Sequence, residues 1–229
     1  MKGAISLLFF LYANIAFAQN PVSVSVPAIS RPPTYLRDIF STPFESKPYA
    51  GVQGSPFLED SWQLAQIKVA GRKEVIDSLP IKLNVYDNRI HFKNEAGEEM
   101  QMTMQVEGIK IIDTNSAWRN AIFLTGFDQE KGFFEVVENG GKFNMLKKYS
   151  VAIQETKPLG SEPLRKFEPL EELFFSSGRI LYKSNKSCLF VRDAFENNEK
   201  IFDYISANDI RCNKEKDMRK LVRFVASLK

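Results

Sequence analysis

Few side chains in this chain of 229 residues are suited to nucleophilic or metal chemistry: one histidine, His91, and two cysteines, Cys188 and Cys212. A serine-based triad needs a histidine as its base, and a zinc site normally needs four clustered ligands. The chain contains no Gly-x-Ser-x-Gly, Ser-x-x-Lys, phosphate-loop or dinucleotide-binding pattern. The sequence therefore predicts no metal site and no cofactor, and it indicates no catalytic residue.

Acidic residues offer a different chemistry, since a glycosidase needs only two carboxyl groups. Among the 28 acidic residues, Glu98-Glu99 and Glu171-Glu172 are adjacent pairs. Neighbouring residues of a strand point to opposite faces, so neither pair forms an acid–base couple by itself. A hydrolase that uses carboxylates alone therefore ranks third among the functions considered for this chain, after the two binding functions given below.

Aromatic side chains could instead bind a ligand. Phe133-Phe134 and Phe174-Phe175 fit a buried core, because phenylalanine is often fully buried. Trp118 stands in the polar stretch 113–120 beside Arg119, and an exposed tryptophan in a loop is a common binding anchor. Trp118 and Arg119 are therefore the candidate ligand-binding residues.

The beginning of the chain predicts export. Lys2 precedes an apolar run that ends in Ala16-Phe17-Ala18, which is the pattern of a secretory signal peptide cut between Ala18 and Gln19. The run is shorter than the roughly 20 apolar residues of a transmembrane helix. We therefore expect a chain in the periplasm or outside the cell that is not an integral membrane protein after cleavage. In such a compartment Cys188 and Cys212 either form a disulfide or remain two buried thiols.

Composition limits the partners. The 31 basic and 28 acidic residues nearly balance, which gives no electrostatic reason to expect nucleic acid. An unknown protein or a surface polymer remains as the expected partner.

Prolines and turn residues divide the chain. We expect a signal peptide, a proline-rich extended arm, an antiparallel β-domain, a proline-containing linker, and a β-hairpin followed by three short helices. Their ranges are 1–18, 19–56, 57–155, 156–169 and 170–229. The predicted fold class is α+β: a mainly antiparallel sandwich or barrel followed by a small helical segment.

Alternating apolar residues predict a three-stranded meander. A turn at Asp87-Asn88 places Val85 opposite Ile90 and Leu83 opposite Phe92, and a loop at 95–97 places Phe92 opposite Met100. This register puts His91 on the solvent-facing side. A second hairpin is predicted around a two-residue turn at Asn139-Gly140, which sets Val136 opposite Phe143. Further strands are expected at 62–69, 109–112, 122–127 and 149–153.

Helices follow the last hairpin. Ser187, Asn197 or Asn198, and Asn213 are the expected N-caps of three helices, and the third has Met218, Leu221, Val222, Val225 and Leu228 at helical spacing.

Several motifs resemble a group of small uncharacterised exported bacterial proteins that have no established activity. They are Gly54-Ser55-Pro56-Phe57-Leu58, the stretches 132–137 and 144–149, and the helical stretches 200–205 and 217–222. The resemblance implies the same layout of arm, β-domain and helical tail, and it implies no functional residue.

Two functional hypotheses lead. In the first, the chain is a non-enzymatic module of the envelope or secreted fraction that binds a protein or a surface polymer, with the arm lying along the partner. In the second, a barrel carries a small apolar ligand against Met100, Met102 and Met104. A cavity of roughly 300 Å³ or more is required by the second hypothesis.

Overall fold

The computed structural model describes residues 41–44, 49–157, 159, 162–195 and 198–228. The predicted signal peptide, its cleavage site between Ala18 and Gln19, and residues 19–40 of the predicted arm lie outside the described residues. Within the described part the fold class is confirmed, since the structure is mostly antiparallel sheet with short helices at the C-terminal end.

The described residues form twelve strands and three helices. The first six strands are β1 (Ser41–Pro43), β2 (Val52–Gln53), β3 (Gln63–Val69), β4 (Val75–Asn84), β5 (Arg89–Lys93) and β6 (Glu99–Met102). The other six are β7 (Val106–Ile111), β8 (Ile122–Leu124), β9 (Phe134–Gly140), β10 (Phe143–Thr156), β11 (Leu164–Ser177) and β12 (Ile180–Lys183). The helices are α1 (Phe190–Phe195), α2 (Glu199–Ala207) and α3 (Glu215–Ser227).

All twelve strands belong to one sheet, whose order is β1-β6-β5-β4-β3-β7-β8-β9-β10-β11-β12, with β2 paired to β11. Residues 52–58 bring the two halves of this sheet together. On one side β2 pairs in parallel with β11, and on the other the Leu58 amide donates to Leu83 O and the Val85 amide to Pro56 O, both at 2.9 Å. The sheet therefore closes like a barrel through this short segment.

The described part of the predicted arm is built into the sheet. β1 pairs with β6, with Thr42 opposite Gln101, and Phe44 packs edge-on against His91 with ring centroids 4.5 Å apart. Residues 41–44 and 49–56 thus contribute to the β-domain.

The meander forms, but its first turn is wider than predicted. Leu83 lies opposite Ile90 and Ile81 opposite Phe92, so the register differs by two residues from the predicted one. The side-chain amide of Asn84 causes this, because its Oδ1 accepts the Tyr86 amide at 3.1 Å and thereby begins a longer turn. A shift of two keeps every side chain on its face. The predicted pair of Phe92 with Met100 is confirmed.

The prediction that His91 faces solvent was wrong. Its side chain is fully buried, because Phe44 and Phe57 cover the outer face of β5. The Nδ1 atom lies 2.7 Å from Glu99 Oε1, and Nε2 lies 3.3 Å from the Gln101 side-chain amide. Both ring nitrogens thus have partners, as a buried histidine requires.

The second hairpin also turns later than predicted. Gly140 pairs with Phe143, so the two-residue turn is Gly141-Lys142 and not Asn139-Gly140. Gly141 has φ +80°, which a left-handed turn position needs, whereas a Cβ on Gly140 would collide with the Phe143 carbonyl oxygen and lie 2.8 Å from Val222 of α3. The first glycine therefore allows both the paired strand and the helix to approach, and the second makes the turn.

β10 and β11 pair along their whole length, from Phe143 opposite Ser177 to Thr156 opposite Leu164. β11 thus begins at Leu164, inside the predicted linker 156–169. Pro169 lies within this strand, where a proline is tolerated beside an unpaired edge. The hairpin of β11 with β12 forms as expected, with Ser177 opposite Ile180.

Three apolar clusters hold the fold. The first fills the space enclosed by β3–β8, the second lies between the sheet and the helices, and the third lies on the opposite face of β9–β11 under residues 125–133. Phe133, Phe134, Phe174 and Phe175 are all buried in these clusters, as predicted. On β10, Met145 belongs to the helical cluster while Tyr149 and Val151 contact the first one, so this strand supports both.

The helical tail follows its sequence pattern. Met218, Leu221, Val222 and Val225 of α3 are buried against the sheet, and Leu228 is partly exposed. Asn198 is the N-cap residue of α2, but Lys214 and not Asn213 occupies that position for α3. Cys188 and Cys212 form a disulfide, with Cα atoms 5.2 Å apart, which ties the start of α1 to the turn before α3.

Candidate functional site

A cleft of about 440 Å³ opens where the β4–β5 turn, the β6–β7 turn and the loop 125–133 meet. Its apolar lining comes from Ile90, Met102, Met104, Val106, Phe127 and Phe133. We call it the methionine cleft. Ile90, Met102, Val106 and Phe133 also belong to the buried core, so the floor of the cleft is continuous with that core. Its volume lies within the range of small-ligand pockets.

The rim of the methionine cleft is polar and carries charge. Asp87, Asn88, Arg89, Thr103, Thr125 and Lys131 line it. Arg89 is partly neutralised by Asp87, whose Oδ2 lies 3.8 Å from Arg89 Nε. Lys131 is exposed and forms no ion pair with a described residue. The rim therefore offers an ammonium group that a ligand could neutralise.

Asp87 is held in place by the described part of the N-terminal segment. The Tyr49 hydroxyl donates to Asp87 Oδ2 at 3.1 Å and accepts from Asn84 Nδ2 at 2.9 Å. Burial raises the pKa of Tyr49, which keeps this hydroxyl protonated and able to donate. The Oδ1 atom of Asp87 is buried without a hydrogen-bond partner among the described residues, which is an uncommon state for a carboxylate oxygen.

A second cleft, of about 410 Å³, lies beside Trp118 and Arg119, the two residues singled out from the sequence. Its lining also includes Asn120, Ile122, Glu135 and Asn139. We call it the Trp118 cleft. Among its lining residues, Trp118 packs against the first apolar cluster and Val136 against the third.

Trp118 is half-buried and not fully exposed as a loop anchor would be. Its ring contacts Tyr149 edge-on at 4.9 Å and Phe123 at 5.7 Å between centroids. Its backbone is also fixed, since Ser116 Oγ accepts the Trp118 amide at 2.9 Å and Trp118 O accepts the Ala121 amide at 2.8 Å. The indole therefore has a defined orientation. Arg119 is exposed, and its guanidinium pairs with no described carboxylate.

Glu135 is the acidic member of the Trp118 cleft. The Tyr149 hydroxyl donates to Glu135 Oε2 at 2.7 Å. Burial, and then this hydrogen bond to Glu135, raise the pKa of Tyr149, so the hydroxyl remains a donor. Because Tyr149 is packed against the barrel core, it positions the Glu135 carboxylate from behind.

The adjacent acidic pairs do not meet in either cleft. Glu99 contacts His91 and Glu98 contacts Asn94, while Glu171 contacts Lys147 and Glu172 contacts Lys183. Each carboxylate thus has a separate structural partner. Within the described residues, no three histidine, cysteine or acidic side chains are arranged to hold a metal ion.

Sequence reasoning identified part of each cleft. It named Met102 and Met104 for one, and Trp118 and Arg119 for the other, but missed Lys131 and Glu135. Both missed residues lie near Gly132, whose φ of +146° marks an irregular entry into β9. That glycine was the one available signal, and it does not by itself indicate a site.

Comparison of the chain with protein-family models, with curated proteins and with solved structures finds no match. The resemblance to a group of exported bacterial proteins therefore stays a prediction. No helix in the part of the chain that the structure describes has the length and apolar character to cross a membrane.

Proposed function

We propose that this chain is a non-enzymatic binding module, and that it carries a small ligand in the methionine cleft. The supporting observation is the 440 Å³ cleft whose apolar floor continues into the core. Methionine side chains adapt to ligands of different shape, because they are unbranched and polarizable. The export of the module to the periplasm or beyond is part of the proposal and rests on residues 1–18 alone.

The polarity of the cleft favours a ligand with an apolar body and an acidic end. The apolar part would lie against Met102, Met104 and Phe133, and the acidic end would neutralise Lys131 at the rim. A fatty acid of medium length combines these two properties. Dodecanoate is therefore a suitable probe, and dodecylamine is its counterpart with the opposite charge.

Native mass spectrometry tests the proposal. The chain secreted by its own host should carry extra mass that leaves on denaturation, or the purified chain should bind dodecanoate more tightly than dodecylamine. Thr103→Trp should abolish both the extra mass and the binding of dodecanoate. Thr103 lies at the exposed rim, and an indole there would fill the cleft without removing a core side chain.

Lys110→Trp is the matched control, since Lys110 is exposed on β7 and does not line the cleft. This variant should bind as the wild type does. A bare secreted chain that also fails to bind dodecanoate contradicts the proposal, and so does equal binding by Thr103→Trp.

Capture of a protein or surface polymer by the predicted arm is a separate possibility. Residues 41–44 and 49–56 contribute to the sheet, so a deletion that tests the arm should end at residue 40. If the arm binds a partner, removal of residues 19–40 should abolish capture while the melting temperature stays unchanged. Capture that survives the deletion would exclude this role.

A further inference from the structure

The Trp118 cleft is not used by the function proposed above. The two clefts share no lining residue, so they are independent sites on the molecule. The Trp118 cleft has an aromatic wall, two apolar side chains in Ile122 and Val136, and planar polar groups around them. Such a combination calls for a ligand with both apolar and hydrogen-bonding faces.

The charges in this cleft are mixed. Arg119 supplies a permanent positive charge, and Glu135 supplies a carboxylate. For an anionic ligand the attraction to Arg119 is offset by repulsion from Glu135, and for a cationic one the attraction to Glu135 is offset by repulsion from Arg119. The opposite signs therefore favour a ligand without net charge.

The hydrogen-bonding groups suit hydroxyls. The guanidinium of Arg119 presents donors in a planar fork, the carboxylate of Glu135 presents acceptors, and the side-chain amides of Asn120 and Asn139 offer both. Adjacent hydroxyl groups both donate and accept, so they can satisfy two atoms of one planar group at once. The C–H faces of a pyranose ring would in turn contact the aromatic wall at Trp118.

The site is also largely fixed before any ligand binds. The Tyr149 hydroxyl holds Glu135 at 2.7 Å, and the loop hydrogen bonds to Ser116 and Ala121 hold Trp118. Ligand binding would therefore order few groups beyond the exposed Arg119 and Asn120 side chains, which lowers the entropic cost of binding.

We infer that the Trp118 cleft binds a neutral saccharide, with the indole as its apolar wall and with Arg119 and Glu135 as the groups that hydrogen-bond the sugar hydroxyls.

Tryptophan fluorescence of a Trp62→Phe variant tests this inference, because Trp118 is then the one remaining tryptophan. The probes are cellohexaose, laminarihexaose, maltohexaose and chitohexaose, with trigalacturonate as an acidic and a chitosan hexamer as a basic comparison. At least one neutral oligosaccharide should change the emission saturably. Its affinity should stay the same between low and high salt, because no net charge is neutralised.

Arg119→Ala and Glu135→Gln should each weaken the binding about tenfold or more, as expected for the loss of hydrogen bonds to a charged group. Arg192→Ala and Glu155→Gln are the matched controls, since both residues are exposed and lie outside the cleft. Circular dichroism should show the same fold for all four variants.

Three results would overturn the inference: no response to any of the neutral probes, a response to the charged probes alone, or binding that survives both cleft variants. Because the two clefts share no lining residue, dodecanoate binding can be measured on the same variants. Failure of the saccharide site is therefore distinguishable from failure of the proposed carrier function.

Discussion

A hydrogen bond between Tyr149 and Glu135 joins β10 to β9 behind the Trp118 cleft. The acceptor is a carboxylate, and such hydrogen bonds contribute more than neutral ones. We expect Tyr149→Phe to lower the free energy of unfolding by about 2 kcal/mol. Urea denaturation measures this change. Tyr182→Phe is the matched control, because the Tyr182 hydroxyl makes a long contact of 3.5 Å to Asp193 O and should contribute little.

The same tyrosine predicts a dependence on alkaline pH. Burial raises the pKa of Tyr149 in the folded state above that of an unfolded tyrosine, which is about 10. Above that pH the unfolded chain loses a proton that the folded chain keeps, so stability should fall as pH rises. The fall between pH 9.5 and 11.5 should be shallower for Tyr149→Phe than for the wild type. Equal slopes would show that Tyr149 ionises freely in the fold.

The prediction that His91 faces solvent failed because the residues that cover it come from another segment of the chain. Strand alternation predicts that His91 is a polar position opposite Asn84 on the outer face of β5. It lies on that face, but opposite Lys82. Phe44 and Phe57 then bury it. Alternation predicts which side a residue takes, but it cannot predict that another segment covers that side.

At the scale of elements, the adjacent glycines Gly140 and Gly141 are required for different structural reasons. A Cβ on Gly140 would collide with the backbone carbonyl oxygen of Phe143 and with Val222 of α3, whereas Gly141 has φ +80°, which strains any other residue. Gly141→Ala should therefore lower the free energy of unfolding by about 1 kcal/mol, and Gly140→Ala by about 2 kcal/mol or more.

Urea denaturation of the two alanine variants measures this difference. Adding Val222→Ala should restore only part of the stability of Gly140→Ala, because the clash with the Phe143 carbonyl oxygen remains, and none of that of Gly141→Ala. An equal loss in both single variants would mean that the approach of α3 does not depend on Gly140.

The sequence predicted the central strands and their apolar faces, because both follow from local alternation, but it assigned β1, β2 and the start of β11 to an arm and a linker. It misplaced both turns. At the first, Asn84 Oδ1 accepts the Tyr86 amide and the distant Pro56 O accepts the Val85 amide; at the second, Val222 packs close to Gly140, which stays in the strand. For the same reason the sequence indicated only some of the residues that line each cleft. Trp118 is visible as an aromatic in a polar loop, but Glu135 becomes informative when Tyr149 is seen behind it.

The disulfide between Cys188 and Cys212 should stabilise the helical tail. It closes a loop with a sequence separation of 24 that contains α1 and α2. Loop-closure entropy gives it a stabilising contribution of about 3 kcal/mol. Cys188→Ala/Cys212→Ala should therefore unfold at lower urea than the oxidised wild type, and wild type treated with dithiothreitol should match the variant. Hydrogen exchange should show the largest loss of protection in residues 188–228. A loss spread evenly over the sheet would contradict this assignment.

For the whole molecule, a band of ion pairs joins the helical layer to the sheet. Glu138 of β9 contacts Arg219 and Arg223 of α3, and Lys147 of β10 contacts Glu215 of α3. The hydrogen bond from Arg223 is the main cause that lowers the pKa of Glu138, and that from Lys147 lowers the pKa of Glu215. The two layers thus depend on carboxylates that are ionised in the folded chain.

This band predicts how stability responds to acid. Both carboxyl groups have folded-state pKa values below their usual 4.5, so their contribution is complete above that pH and is lost as the pH falls through the lowered values. Glu138→Gln/Glu215→Gln should have a lower urea midpoint than the wild type at pH 7, and the two midpoints should converge near pH 3. Glu155→Gln, which changes an exposed carboxylate without an ion pair to a described residue, should follow the wild type at every pH. Because α3 also buries Met218 and Leu221 against the sheet, the acid form should stay folded with a weaker attachment of its helices. A midpoint difference that persists unchanged at pH 3 would show that packing, and not charge, accounts for the effect of the double variant.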